Sequence, residues 1–310
     1  MGRALVIGAA GFVGNYLVPH LQDAGDDVVA ATFGGKLQGF NGSVIPLDIR
    51  SSADCSAALQ RTKPDAVYHL AGISFVPQAE ADFEQALLVN VNGTANVARQ
   101  CHLLGTPLTL LFVSSAEVYG HVAPSELPIR EKNPLRPANN YSLSKRMAEL
   151  VIERYGSSSM VRTVIARPFN HIGPGQDARF VVSNFASQLA KIARKLSPPI
   201  LQVGNLEARR DFSDVRDIVR AYRILAHGGS GIYNLGSGTP RSIRDVLDTL
   251  IRVSGVSVEV SQDPTRMRGP EVPELYCSYE RAREELGWKP EYSFERSLED
   301  VYRYWFDRVG

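Results

Sequence analysis

The chain has 310 residues, 44% of them hydrophobic and 22% charged, with a formal net charge of +1. This is ordinary globular composition, long enough to bury a substantial core in one large α/β domain carrying a smaller lobe. The near-neutral charge argues against a broad electrostatic footprint for nucleic acid, and no apolar run approaches the roughly 18 residues that a membrane span needs. The three cysteines, Cys55, Cys101 and Cys277, are widely spaced and form no C-x-x-C pair. Neither a disulfide framework nor a metal site is expected. Met1 to Leu5 leads straight into apolar sequence with no leader-like segment, and the expectation is a cytoplasmic protein with reduced thiols.

In chain order, Arg3 to Ile7 reads as a short buried strand. Phe12 to Ala24 is apolar at helical spacing and stops at Gly25. Val28 to Thr32 and Ser43 to Pro46 read as strands. A helix capped by Ser51 or Ser52 is expected to run to about Thr62. Ala66 to Leu70 is a fourth strand, and about Asp82 to Leu104 one long helix. Leu108 to Val113 is a strand, Ser142 to Tyr155 a helix, and Val161 to Ala166 a strand. Strict alternation, with strands apolar throughout, implies a parallel sheet covered by helices on both faces. After Pro168 glycine and proline become frequent and the elements shorter. Helices are expected over Val181 to Leu196, Val215 to Ala226, Ile243 to Ser254 and Phe294 to Phe306, with a strand over Ile232 to Leu235. The division expected is a sheet domain of residues 1–168, with returning segments at about 211–237 and 279–310. The substrate lobe would then comprise about 169–210 and 238–278.

Gly8-Ala9-Ala10-Gly11-Phe12-Val13-Gly14 lies between the first strand and the first helix. Glycines there permit the tight turn, close backbone approach to a pyrophosphate and close helix–strand packing. The helix start, at Phe12 and Val13, offers amide donors and the positive end of a dipole. A dinucleotide-binding, Rossmann-type doubly wound fold is the expectation.

Tyr141-Ser142-Leu143-Ser144-Lys145 sets a tyrosine and a lysine at i and i+4, on one helical face. A neighbouring ammonium favours phenolate and is expected to draw Tyr141 toward useful acid/base range. Ser115, in Ser114-Ser115-Ala116-Glu117, follows a strand at the carboxyl edge of the sheet, where ligands sit in such folds. Ser115, Tyr141 and Lys145 are read as a catalytic unit, and Ser114 as structural. Asp48 and Ile49, after the third strand, are placed beside an adenine. Leu70, Ala71 and Gly72 end the fourth strand, where small residues admit a cofactor. Asn90 serves either the backbone beneath a nicotinamide or the helix alone. An NAD-specific site usually has Asp or Glu at the end of the second strand, yet that position is Thr32, followed by Phe33 to Lys36. No carboxylate would repel a 2′-phosphate there, Lys36 can attract one, and no arginine is seen beside it. NADP(H) is therefore expected first and NAD(H) second.

In order, spacing and context these motifs resemble the extended short-chain dehydrogenase/reductases that modify nucleotide sugars, over nearly the whole chain from Ala4 to about Leu298. Arg167-Pro168-Phe169-Asn170-His171-Ile172-Gly173-Pro174-Gly175-Gln176 resembles the family's interdomain segment. The resemblance implies that Asn170 contacts substrate there. Val203 to Phe212 resembles a segment whose arginine, here Arg210, binds phosphate, and Arg268-Gly269-Pro270-Glu271 one in which Arg268 grips a diphosphate and Glu271 a ribose. It also implies Phe180 and Val181 near the nucleotide base, and a homodimer built on the two long helices. His171, Arg209 and Arg266 are read as packing or solvated residues. The wording resembles most the GDP-6-deoxy-D-mannose reductases, with the GDP-mannose 4,6-dehydratases close relatives. The expected function is NAD(P)H-dependent reduction of a GDP-4-keto-6-deoxyhexose. The alternatives are a 4,6-dehydratase or 4-epimerase with tightly held cofactor, and a non-catalytic nucleotide-binding protein. Ala116, where related dehydratases carry a hydroxyl or carboxyl residue, removes one candidate for proton transfer, and the closer wording of the Asn170 and Arg268 segments to the reductases tips the expectation to a reductase. Glu117 keeps the position of a catalytic base.

Overall fold

A computed structural model of the chain describes residues 2–37, 39–156, 160–266 and 272–310. The first half alternates as β1 (Arg3–Ile7), α1 (Gly14–Asp23), β2 (Asp27–Thr32), β3 (Ser43–Pro46), α2 (Ser52–Thr62), β4 (Ala66–His69), α3 (Val76–Ala81), α4 (Phe83–Ala86), α5 (Gly93–Leu103), β5 (Leu108–Val113), α6 (Asn140–Tyr155) and β6 (Val161–Pro168). The second half runs β7 (Asn170–Ile172), α7 (Val181–Ala193), β8 (Ile200–Val203), β9 (Arg209–Asp214), α8 (Val215–Gly228), β10 (Gly231–Leu235), β11 (Pro240–Ser242), α9 (Ile243–Ser254), β12 (Glu259–Gln262), β13 (Glu274–Leu275), α10 (Glu280–Leu286) and α11 (Phe294–Phe306).

Seven strands form one parallel sheet in the order β10-β6-β5-β4-β1-β2-β3. Both faces are buried, which is why its strands read as continuous apolar runs. One face packs α1 and α8 around Leu17, Leu21, Val219 and Tyr222. The other packs α2, α5 and α6 around Leu59, Val97, Ala148 and Ile152. Strand order reverses between β1 and β4, and the crevice beyond their carboxyl ends is where such sheets bind ligands.

The region expected as one regular helix from Asp82 is interrupted. Asp82 leaves helical geometry and accepts the Gln85 amide, closing α3 and capping α4. Leu87–Asn92 then forms a wider π-helical turn before α5, and turns Asn90 into the interior.

A second core gathers Phe185, Leu189, Leu201, Phe212, Val246 and Leu250 from α7, β8, β9 and α9. Helix α11 does not pack on the sheet as the expected division had residues 279–310 do. Leu298 and Val301 are buried in this second core against α7 and α9, because its one apolar stripe meets their apolar faces. The stretch at Arg209 and Arg210, where the sequence pattern predicts no regular element, is the strand β9, paired with β7, β11 and β13. Its polar residues hide the strand pattern, and the partners of the Arg209 side chain lie 31 and 65 residues away.

Candidate active site

The glycine loop is shaped for close backbone approach. Gly8 has φ +89, and a Cβ there would lie 2.8 Å from the Ala71 amide nitrogen. A Cβ on Gly14 would stand 2.4 Å from the Ala9 carbonyl oxygen, so only glycine lets α1 start this close to the loop. The amides of Phe12 and Val13 donate to no described acceptor, and no side chain caps α1. A helix start with free amides fits an anionic pyrophosphate. Leu70 and Ala71 face this loop from the end of β4. Gly72 lies between the Asn90 amide and Lys145: a Cβ there would be 3.0 Å from Asn90 Oδ1 and 3.9 Å from Lys145 Nζ.

Asn139 caps α6. Its side chain accepts the Ser142 amide at 2.7 Å, while the Ser142 hydroxyl accepts the Asn139 amide at 3.1 Å. This reciprocal cap sets where the helix begins, and so places Tyr141 in its first turn with Lys145 one turn further on. Tyr141 is buried and its hydroxyl hydrogen-bonds Ser115. Ser115 Oγ also accepts the Glu117 amide at 3.2 Å. Lys145 Nζ is buried, donates to the Val113 carbonyl at 2.5 Å and sits 4.5 Å over the Phe112 ring.

Burial pushes the Tyr141 phenol up to about 12; the Ser115 hydrogen bond opposes this and the Glu117 charge adds to it. Lys145 is pushed down to about 8 by burial, opposed by the Glu149 carboxylate. The expected drift of Tyr141 toward phenolate is therefore not seen. Desolvation of the phenol dominates, and the Lys145 ammonium is engaged with a backbone carbonyl. What the geometry offers is a proton donor at Tyr141, oriented by Ser115, beside a cation.

Asn90 joins this frame through its side chain. Oδ1 accepts the Ile73 amide at 2.8 Å, and Nδ2 donates to the Ile73 carbonyl at 3.1 Å and to Ser144 Oγ at 2.9 Å. It ties the loop after β4 to α6. Glu117 is partly exposed, with the Asn139 amide donating to it at 3.4 Å, while Ala116 beside it is buried and inert. Ser114 donates to Glu149, which forms a buried ion pair with Arg167.

Thr32 is buried at the end of β2, bonded to the Lys36 backbone, and the Lys36 side chain is exposed. Asp48 is partly exposed and paired with Arg50, and Ile49 is buried against α2 and α5. Arg50 stands over Phe33, so an arginine does reach this strand end, contrary to the sequence reading. Asp26 and Asp27 lie at the opposite end of β2, paired with Arg223 and Arg3.

Across the crevice, β7 pairs with β9 so that Asn170 stands beside Phe212, two residues from Arg210. Asn170 is exposed and Arg210 half-buried. Phe180 precedes α7 and meets Phe75 edge to face at 5.7 Å; Val181 opens the helix. Arg268 and Glu271 lie outside the described residues. His171 stacks on Phe12 at 6.1 Å, and burial lowers its pKa, so it packs as a neutral ring. Arg209 pairs with Glu274, and Arg266 with Asp263. Arg50, Asn139, Glu149 and Arg167 had no assigned role in the sequence reading. Only the Asn139-x-x-Ser142 capping pattern was there to be seen beforehand.

Fold and site together define an extended short-chain dehydrogenase/reductase, with a dinucleotide cradle facing a Ser–Tyr–Lys unit. The chain belongs to the family described as GDP-mannose 4,6 dehydratase, whose model matches residues 5–301. It is 37% identical to a GDP-6-deoxy-D-mannose reductase of Pseudomonas aeruginosa, over 99% of this chain and 98% of that protein. It is 28% identical to a GDP-6-deoxy-D-talose 4-dehydrogenase of Aggregatibacter actinomycetemcomitans, over 97% of each. Among solved structures it is similar to RMD from Pseudomonas aeruginosa complexed with NADPH, with a TM-score of 0.90, 35% identity and full coverage of both chains.

Proposed function

We propose that the chain reduces the 4-keto group of a GDP-4-keto-6-deoxyhexose with NADPH, and with NADH as second choice. The product would be GDP-6-deoxy-D-mannose (GDP-D-rhamnose) or its C4 epimer. The observation that carries this reading is the pairing of Tyr141 with Ser115 beside a buried, proton-inert Ala116. A carbonyl reduction needs one proton donor. A 4,6-dehydration needs a further base and acid at C5 and C6 of the sugar. The relatives named as reductase and 4-dehydrogenase support the same reading.

The chemistry supplied by a bound nicotinamide is a hydride for the sugar C4 carbonyl carbon. Gly8, Gly11, Phe12, Val13 and Gly14 would cradle its pyrophosphate. Thr32, Lys36, Asp48 and Ile49 would hold the adenosine end of the cofactor, and Leu70, Ala71, Gly72 and Asn90 its nicotinamide end. Tyr141 Oη gives its proton to the forming alkoxide, Ser115 orients that oxygen, and Lys145 holds positive charge beside both. The raised pKa of Tyr141 keeps it protonated at neutral pH, the state a reductase requires. Glu117 contacts a sugar hydroxyl. Asn170, Arg210, Arg268 and Glu271 hold the diphosphate and ribose, and Phe180 and Val181 the base. Arginine suits this task because its planar fork matches phosphate oxygens.

The chain acts as a homodimer in the cytoplasm. Leu143, Met147 and Leu150 form an exposed stripe at i, i+4 and i+7 on α6, and Leu88, on the π-helical turn that contacts α6, is also exposed. No helix among the described residues is long and apolar enough to cross a membrane. The three cysteines are buried and unpaired.

The test is incubation with GDP-4-keto-6-deoxymannose and NADPH, with the product identified by NMR. Stoichiometric loss of NADPH absorbance and a C4 alcohol are expected. One observation favours a second reading: Glu117, two residues from Ser115, is partly exposed, and the hydrogen bond its carboxylate accepts from Asn139 is long, 3.4 Å. If the protein converts GDP-mannose to the 4-keto-6-deoxy sugar without added reductant, it is a dehydratase.

A further inference from the structure

We propose that Arg50, held over Phe33, is the cation that selects the 2′-phosphate of NADP(H). This rests on the cofactor reading above and adds a residue to it, brought to the site from a different strand.

Thr32 cannot do this work. Its hydroxyl accepts the Lys36 amide at 3.0 Å and donates to the Lys36 carbonyl at 3.3 Å, so it is spent on its own turn. That turn throws Phe33 outward, 73% exposed, at the point where the second strand of such folds meets the adenosine ribose. A large apolar ring this exposed adds nothing to either core. The Arg50 guanidinium does lie over it, 5.4 Å from the ring centroid, a cation–π distance.

The sheet brings Arg50 there. β3 runs parallel to β2 with Thr32 opposite Pro46, and the Leu47 amide donates to the Thr32 carbonyl at 2.9 Å. The chain leaving β3 therefore emerges at the same edge as the chain leaving β2. Arg50 then folds back on Asp48, with Nε at 2.9 Å from Oδ1 and Nη2 at 2.7 Å from Oδ2. Its Nη1 has no described partner. The hydrogen bonds from Arg50 hold the Asp48 carboxyl below its ordinary range, so a carboxylate that would repel a phosphate is neutralised by the cation itself. A guanidinium fixed by a carboxylate on one edge and an aromatic ring on its face retains donors for phosphate oxygens and loses little rotamer freedom in using them.

The experiment is calorimetric titration of the full chain with adenosine 2′,5′-bisphosphate and with 5′-AMP, which differ only at the 2′ position, followed by NADP+ and NAD+. Wild type, Arg50→Ala, Asp48→Asn/Arg50→Ala and Lys36→Ala are compared. The wild type should favour the bisphosphate over 5′-AMP by on the order of 10- to 100-fold, the range of one or two charged hydrogen bonds. That preference should fall to near unity in Arg50→Ala and stay lost in the double variant, where no unmasked carboxylate remains. The affinity for 5′-AMP should change little. Lys36→Ala should keep most of the preference. If both Arg50 variants keep it, if only Lys36→Ala loses it, or if the wild type shows none, the assignment to Arg50 is overturned while the nucleotide site stands. If the wild type binds no nucleotide at all, the cofactor reading falls and this inference with it.

Discussion

Arg167 and Glu149 face each other in the interior as a two-pronged ion pair, Nε to Oε1 and Nη2 to Oε2, both at 2.8 Å, with the side chains 1% and 0% exposed. Arg167 is the penultimate residue of β6 and Glu149 lies one turn beyond Lys145 on α6. The Ser114 hydroxyl donates to the same carboxylate at 2.5 Å, and Arg167 also donates to the Tyr119 hydroxyl at 2.9 Å. The pair thus joins the helix carrying Tyr141 and Lys145, the loop carrying Ser115, and the strand leading to Asn170. Removing one partner leaves a buried charge uncompensated, at a cost of about 3–5 kcal/mol. Arg167→Met should lower Tm by many degrees, and Arg167→Met with Glu149→Leu should recover much of the loss in thermal melts. An unchanged Tm in the single variant would show the pair contributes nothing.

Tyr141→Phe keeps the buried ring and removes only the hydroxyl bonded to Ser115. Turnover should fall on the order of 10²- to 10⁴-fold, the usual contribution of a positioned acid. NADP+ affinity measured by titration should stay within about twofold, since no free-energy change much above RT ln 2 is expected from a group the cofactor does not need. Wild-type turnover in this variant would remove Tyr141 from the reaction.

The pH dependence should follow Lys145. Its pKa in the folded protein is about 8, lowered by burial from 10.5, whereas that of Tyr141 is about 12. Positive charge on Lys145 is then lost as pH rises through about 8, and kcat/KM, which reports the free enzyme, should fall above that pH. The stability effect has the opposite sign. Between about 8 and 10.5 the unfolded chain binds the proton that the folded chain releases, so this group makes folding more favourable as pH rises. Lys145→Met should abolish both trends. A basic limb of kcat/KM that appears only near pH 10 would contradict the assignment.

Gly14→Ala should disable the cradle. The added methyl would meet the Ala9 carbonyl oxygen at 2.4 Å, and both atoms are fixed by backbone. The first turn of α1 must shift, and with it the Phe12 and Val13 amides. Cofactor affinity should drop on the order of tenfold or more, which corresponds to losing one charge-assisted hydrogen bond, and titration with NADP+ measures it directly. Equal affinity would mean the loop can relax without moving those amides.

Leu143→Glu together with Leu150→Glu puts two charges into the exposed stripe of α6 while leaving its buried face intact. Light scattering should report a dimer for the wild type and a monomer for the variant, with little change in Tm beyond that caused by dissociation. A wild type that is monomeric at micromolar concentration would refute the assembly.

Periodicity and punctuation alone determined much of this protein. The strands β1 and β3 and the helices α9 and α11 have the bounds their apolar spacing and flanking residues dictate, because each is a local pattern read against one buried face. The glycine loop and the Tyr141–Lys145 pair were legible for the same reason: their spacing is local and their chemistry is carried by residue type. Tertiary structure decided what depends on distant chain. β9 is a strand because β7, β11 and β13 pair with it, not because Arg209-Arg210-Asp211 favours one. Tyr141 is held as a phenol because its burial, invisible in Y-x-x-x-K, dominates its environment. Arg50, 17 residues beyond Phe33, reaches that ring only because β2 and β3 lie in parallel register and release their chains at one edge of the sheet.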